Sequence, residues 1–199
     1  MDAGFAGLQN TENRLVPEIV AAAGVDWLLE CAPVTSPSCA LDAPRHRLLL
    51  SRDEWVWPCR LPMDLLPFAD QTLPAILLRH VFWQPQAPAL LTEAVRCLKP
   101  GGLLVSVSAN PWHRASWGEL GRDALHLPAW PRLLMQHARF SLQLQIPVRQ
   151  QWFGLIPGVS PLLLVVARKP PRPAQVRRLQ LKRSMGTRTG MPVTSCRAA

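Results

Sequence analysis

Ala75-Ile76-Leu77-Leu78-Arg79-His80-Val81, then Leu90, Leu91, Ala94, Val95 and Leu98 at helical spacing, then Leu98-Lys99-Pro100-Gly101-Gly102-Leu103-Leu104-Val105, is the stretch that decides the fold. The first run is apolar except for Arg79 and His80 and does not alternate. That pattern suits a strand buried on both faces, as in a parallel sheet. Pro88 to Leu98 reads as a helix, with Thr92, Glu93 and Arg96 off the apolar face. Pro100 stops the helix, and Gly101 or Gly102 supplies the left-handed backbone that its end requires. Leu103 to Val107 is a second buried strand. Strand, helix, glycine turn and strand make a right-handed βαβ unit.

Working outward, Gly4 to Ala23 reads as an amphipathic helix with Leu8, Leu15 and Ile19 on one face and Pro17 splitting it. Trp27 to Cys31 and His46 to Ser51 are candidate strands, separated by a Pro-, Ser- and Ala-rich loop from Ala32 to Pro44. Pro58 to Pro67 is proline-punctuated and irregular. Beyond the βαβ unit, a Trp- and Arg-rich stretch runs from Asn110-Pro111-Trp112 to Gly121, and Pro128 to Phe140 is helical with Trp130, Leu133, Leu134 and His137 on one face. Ser141 to Val148 alternates like a half-buried antiparallel strand, and Pro161 to Ala167 is a last apolar strand. There is no internal repeat.

The chain has 199 residues, 48% hydrophobic and 18% charged, which fits one domain with a true core rather than a disordered chain. Its 21 prolines argue against an all-helical protein. The net charge of +9 is uneven: every acidic residue precedes Arg168, while Lys and Arg continue to the end. The expected division is a domain over 1–168 and a basic, disordered tail over 169–199, which would attract nucleic acid or an acidic partner. No apolar run approaches the roughly 20 residues that span a bilayer, so no membrane association is expected. The 5 cysteines are odd in number and lack CxxC spacing, so neither a zinc site nor a disulfide framework is expected, and the cytoplasm is the expected compartment.

Three segments together resemble the class I S-adenosylmethionine (SAM) dependent methyltransferases, in the family often called type 11. Leu66-Pro67-Phe68-Ala69-Asp70 is similar to the family's LPF-x-D turn before its fourth strand. Ala75 to Val81 with Leu90 to Leu98 is similar to its fourth strand and following helix. Leu98 to Val105 is similar to its LKPGG-LV turn into the fifth strand. Asn110-Pro111-Trp112 resembles the NPWS step of a subgroup with a weakened glycine motif. The resemblance implies a Rossmann-like three-layer α/β sandwich, a mostly parallel sheet ending in an antiparallel strand pair, with SAM as cofactor and a methyl acceptor of unknown identity.

The same resemblance shows what is missing at the cofactor end. The family's first strand ends in an acidic residue and a GxGxG loop that lets the backbone approach the cofactor. Here Glu30 stands where the acid stands, but no glycine lies between Gly24 and Gly101, and Pro33 and Pro37 stiffen the segment. The second strand's ribose carboxylate is replaced by Ser51, with Asp53 two residues late. The adenine-contacting Asp position is Pro62, with Asp64 and Leu65 nearby. The FD-x-V step has become Leu73-Pro74-Ala75-Ile76. Glu30, Asp53, Asp64, Leu65 and His80 are therefore the candidate cofactor residues. For the carboxylates the alternative is an ordinary loop position, and for His80 a core or rim histidine. Trp112 and Trp117 are candidate substrate-pocket residues or simple packing, and His113 reads as an exposed loop residue.

No G-x-S-x-G, H-E-x-x-H or Walker glycine loop is present. Methyl transfer needs little from side chains, since the sulfonium is already electrophilic and catalysis is largely orientation and desolvation. The functional expectation is a SAM-dependent methyltransferase of weakened or lost cofactor binding. A non-catalytic methyltransferase-like partner or scaffold, and a nucleic-acid-associated protein acting through its tail, are the alternatives.

Overall fold

The computed structural model describes residues 6–82, 85–120, 127, 130–138, 140, 143–144 and 160–171. Its strands are β1 (Leu28–Pro33), β2 (Arg45–Ser51), β3 (Glu54–Trp57), β4 (Leu61–Pro62), β5 (Leu73–Arg79), β6 (Leu98–Ala109), β7 (Gln143–Leu144) and β8 (Leu162–Arg168). Its helices are α1 (Ala6–Ala22), α2 (Ala87–Cys97), α3 (Arg114–Leu120) and α4 (Trp130–Ala138). The strands form one sheet in the order β4-β3-β2-β1-β5-β6-β8-β7. β2, β1, β5 and β6 are parallel. β8 and β7 close one edge antiparallel. Helices cover both faces, α2 and α4 on one and α1 and α3 on the other. This is the expected three-layer α/β sandwich.

The βαβ unit forms as its sequence predicts. Every residue of β5 is buried. α2 buries Ala87, Leu90, Leu91, Ala94 and Cys97 against the sheet. The glycine turn is tighter than expected, because β6 takes over from the helix at Leu98 with no intervening loop. Leu73 pairs with Leu98 but Ala75 already pairs with Leu103, so Lys99 to Gly102 bulge out of the ladder. Gly101 takes φ +77°, the left-handed region. Lys169, just past the end of the neighbouring β8, fastens the bulge: Gly101 N donates to its carbonyl at 2.8 Å, and its own N donates to Gly102 O at 3.0 Å. Its ammonium donates to Val95 O (2.6 Å) and Leu98 O (2.8 Å) at the C-terminus of α2. The LPF turn is held by the same helix. Arg96 bonds Glu93, Asp70 and the Phe68 carbonyl, while Leu66 N donates to Glu93.

Four sequence expectations are corrected. Pro17 lies inside α1 and does not split it; Val16 and Val20, buried on the sheet, hold the turns on either side. The buried stripe of α1 is Leu8, Glu12, Val16 and Val20 rather than Leu8, Leu15 and Ile19, because Glu12 has a buried partner. The stretch Pro58 to Pro67 is not wholly irregular: it holds β4, which pairs antiparallel with β3, itself antiparallel to β2, as an edge hairpin. Lys169, expected to open the tail, belongs to the folded unit by the bonds above. Residues 172–199, and all of the expected strand Ser141 to Val148 except Gln143 and Leu144, lie outside the described residues.

Candidate functional site

From β1 the chain crosses to β2 on one side, and from β5 to β6 on the other. The direction of winding therefore reverses between β1 and β5. An open α/β sheet takes its ligand in the crevice outside the carboxyl ends of the strands at such a point. β1 runs on to Pro33, and residues 34–44 return to β2 with no helix. Val34 N donates to Leu50 O at 2.9 Å, which binds the start of this crossover to the neighbouring strand.

Beneath the crossover lies a buried ion cluster. Arg79, the last residue of β5, donates from Nε to Glu12 Oε1 (2.7 Å) and from Nη2 to Glu12 Oε2 (2.6 Å). Its Nη1 donates to Glu30 Oε1 (2.5 Å) and to Pro37 O (2.8 Å). Glu12, Glu30 and Arg79 are each no more than 1% exposed. The other Glu30 oxygen lies 3.3 Å from Nε of both Arg45 and Arg47. Burial alone pushes the Glu12 carboxyl up, but hydrogen bonds from Arg79 and His80, together with their charges, bring it down to about 2. Burial works against the Arg79 cation, yet the two carboxylates raise its pKa above the usual value.

The candidates chosen from sequence fall into three places. Glu30 and His80 meet at this cluster. His80 follows β5 with φ +50°, is buried, and holds Nε2 3.7 Å from Glu12 Oε1. Asp53, Asp64 and Leu65 gather at the β3–β4 hairpin. Asp53 is exposed in the turn after β2, its carbonyl accepting from Met63 N at 2.9 Å. Asp64 is exposed, and Leu65 is half exposed, its carbonyl accepting from the buried Trp55 indole at 3.0 Å. Trp112 and Trp117 stand beyond the carboxyl end of β6, both exposed. Asn110 positions this step: its Nδ2 donates to Ser160 O (2.8 Å) and its Oδ1 accepts from Trp112 N (3.1 Å). The Trp117 indole donates to Pro111 O at 2.8 Å.

Sequence reasoning passed over Glu12 and Arg79. The available signal was Arg79 itself, since a charge inside a doubly buried strand requires a buried counter-charge. Among the described residues no group of His, Cys, Asp and Glu could hold a metal ion, and no helix is long and apolar enough to cross a membrane.

Residues 47–106 match the family model of the methyltransferase domain. No curated protein matches the chain. A SAM-dependent methyltransferase from Aquifex aeolicus is similar in structure at 12% identity and a TM-score of 0.55, over 80% of this chain and 92% of that one. One from Archaeoglobus fulgidus is similar at 12% identity and 0.52, over 79% and 94%. A chain from the complex of the Haloferax volcanii Trm112 methyltransferase activator with a methyltransferase is similar at 14% identity and 0.50, over 82% and 92%. At these identities the likeness is one of fold. The matched segment holds the LPF turn, β5, α2 and the glycine bulge, the parts that the sequence resemblance rests on; the chain therefore carries the fold of the class I SAM-dependent methyltransferases, and its residues 47–106 match their methyltransferase-domain model.

Proposed function

We propose that this chain is a SAM-dependent methyltransferase whose hold on SAM is weakened or lost. SAM is the cofactor that the family match implies. The observation that carries the reading is the engagement of Glu30: its carboxylate is fully buried and faces Arg45, Arg47 and Arg79. Three arginines thus compensate its charge and it is sealed from solvent, with Oε1 bonded to Arg79 and Oε2 left without a hydrogen bond. Ser51, exposed at the end of β2, offers no carboxylate to a ribose, and no glycine frees the backbone after β1. The residues at the switch point thus do not fit SAM as the resemblance would seat it. In this reading Asp53, Asp64, Leu65 and His80 are the groups proposed to meet a nucleoside, and Trp112 and Trp117 those proposed to meet an acceptor.

A lost charge-assisted hydrogen bond costs about 1.5–3 kcal/mol. Two such losses weaken binding by roughly a hundredfold or more. Calorimetric titration of the full chain with SAM is expected to show no binding in the low micromolar range. A dissociation constant in that range would overturn the reading and make the chain an ordinary enzyme of its family.

The same engagement of Glu30 favours a second reading, a non-catalytic partner or scaffold subunit. The Haloferax volcanii relative in fold comes from a complex with an activator protein. Stable copurification with an intact methyltransferase supports this second reading. The basic segment beyond Lys169 is the proposed anchor for nucleic acid or an acidic surface, with retention that falls steeply as salt rises.

A further inference from the structure

We propose that the Arg79 guanidinium is this chain's own occupant of the crevice at the switch point: a resident cation, held by Glu12 and Glu30, that excludes cationic ligands from outside. The inference rests on the proposed loss of SAM binding and gives it a physical cause. Three observations carry it. The first is position, since Arg79 ends β5 where the winding of the sheet reverses. The second is connectivity. One side chain bonds α1 through Glu12, β1 through Glu30 and the β1–β2 crossover through Pro37 O, so it ties together three elements at the switch point. The third is chemistry. A planar guanidinium set on both oxygens of Glu12 and on Oε1 of Glu30 compensates two buried carboxylates that otherwise attract a cation. The ligand class of this site is therefore cationic: a sulfonium, an alkylammonium or a guanidinium. SAM, with a sulfonium and an ammonium, is a member of that class, and Arg79 is its internal competitor.

The fold does not depend on Arg79 alone to neutralise the cluster. Without it Glu30 keeps Arg45 and Arg47, each with Nε 3.3 Å from its Oε2. An emptied site is thus attainable in the full chain. The experiment compares SAM binding by calorimetry in the wild type, Arg79→Ala and Arg79→Lys. Arg79→Ala is expected to gain at least tenfold in affinity over the wild type, and Arg79→Lys, which keeps a resident cation, is expected to gain nothing. Adding Glu12→Gln to Arg79→Ala is expected to remove most of the gain. Should Arg79→Ala fail to fold unaided, ethylguanidinium at millimolar concentration is added. Recovery of a cooperative melt, absent with the same concentration of urea, supports the resident-cation site, and no recovery overturns it. A folded Arg79→Ala that binds SAM no better than a non-binding wild type overturns this inference and leaves the proposed loss of function standing. Low-micromolar binding by the wild type overturns both.

Discussion

Arg79 and Glu12 stand 67 positions apart and share two hydrogen bonds, Nε to Oε1 and Nη2 to Oε2, with both side chains sealed from solvent. The pair explains why a glutamate occupies the middle of the stripe Leu8, Glu12, Val16 and Val20 that α1 lays on the sheet. It also explains how a strand as apolar as Leu73–Arg79 ends in a charge. Each supplies the other with a buried counter-charge, and a buried ion lacking one costs several kcal/mol.

Glu12 should shape the acid limb of stability. Its carboxyl is held down to about 2, against 4.5 for a free glutamate. A depressed carboxyl contributes stability that is fully present above the unfolded value and is lost as pH falls through the folded one. That contribution should fade between about pH 4.5 and pH 2. Glu12→Gln should cost about 3 kcal/mol at pH 7, since it breaks a buried pair. Denaturant melts at pH 7 and pH 3 test this: the gap between variant and wild type should narrow at the lower pH. A gap of equal size at both would show that Glu12 contributes shape and not charge.

The second half of the fold was legible because its signals are local. Strand, helix and glycine bulge lie within Leu73 to Ala109, and each is encoded by neighbours in sequence. The first half was harder to read because its elements are set by distant partners. The period of α1 was misplaced because Glu12 looks like a surface charge until Arg79 is brought to it. β3 was missed because Glu54–Trp57 is short and mostly exposed, with only Trp55 buried. The end of β1 was underestimated because Pro33, its last residue, is an unusual residue for a central strand. Glu30 was legible as a position but not as a partner of three arginines, which come from two neighbouring strands.

Gly101 and Gly102 should respond to substitution for different reasons. Gly101 has a left-handed φ of +77° and open space around a would-be Cβ. Asn, which adopts that backbone readily, should be tolerated there within about 1 kcal/mol. At Gly102 a Cβ would stand 2.8 Å from both Lys99 O and the Leu98 side chain. Asn or Val at Gly102 should therefore cost about 1–3 kcal/mol by overpacking against backbone. Thermal melts of Gly101→Asn and Gly102→Asn should rank in that order, and the reverse ranking would refute the assignment of roles within the bulge.

His137 should make the docking of α4 sensitive to mild acid. Its ring is fully buried, with Nδ1 2.8 Å from Leu133 O and Nε2 2.8 Å from Ser106 Oγ on β6. A carbonyl only accepts, so Nδ1 carries the proton and Nε2 accepts from the serine hydroxyl. Burial lowers the pKa of His137 below the ordinary imidazole value, and the bond to Leu133 offsets part of that. The unfolded chain thus takes up the proton first, and the stability contributed above the ordinary value of 6.5 declines as pH falls below it. Ser106→Ala removes the donor and leaves a buried acceptor unsatisfied, at a cost of about 1–3 kcal/mol. Adding His137→Phe, which removes the acceptor and keeps an aromatic ring beside Phe82, should recover part of that cost. The double variant should also lose less stability than the wild type between pH 8 and pH 5.5. A double-mutant cycle by denaturant melts at the two pH values reads both effects. Additive costs with identical pH slopes would show that the serine and histidine are neighbours without a shared hydrogen bond.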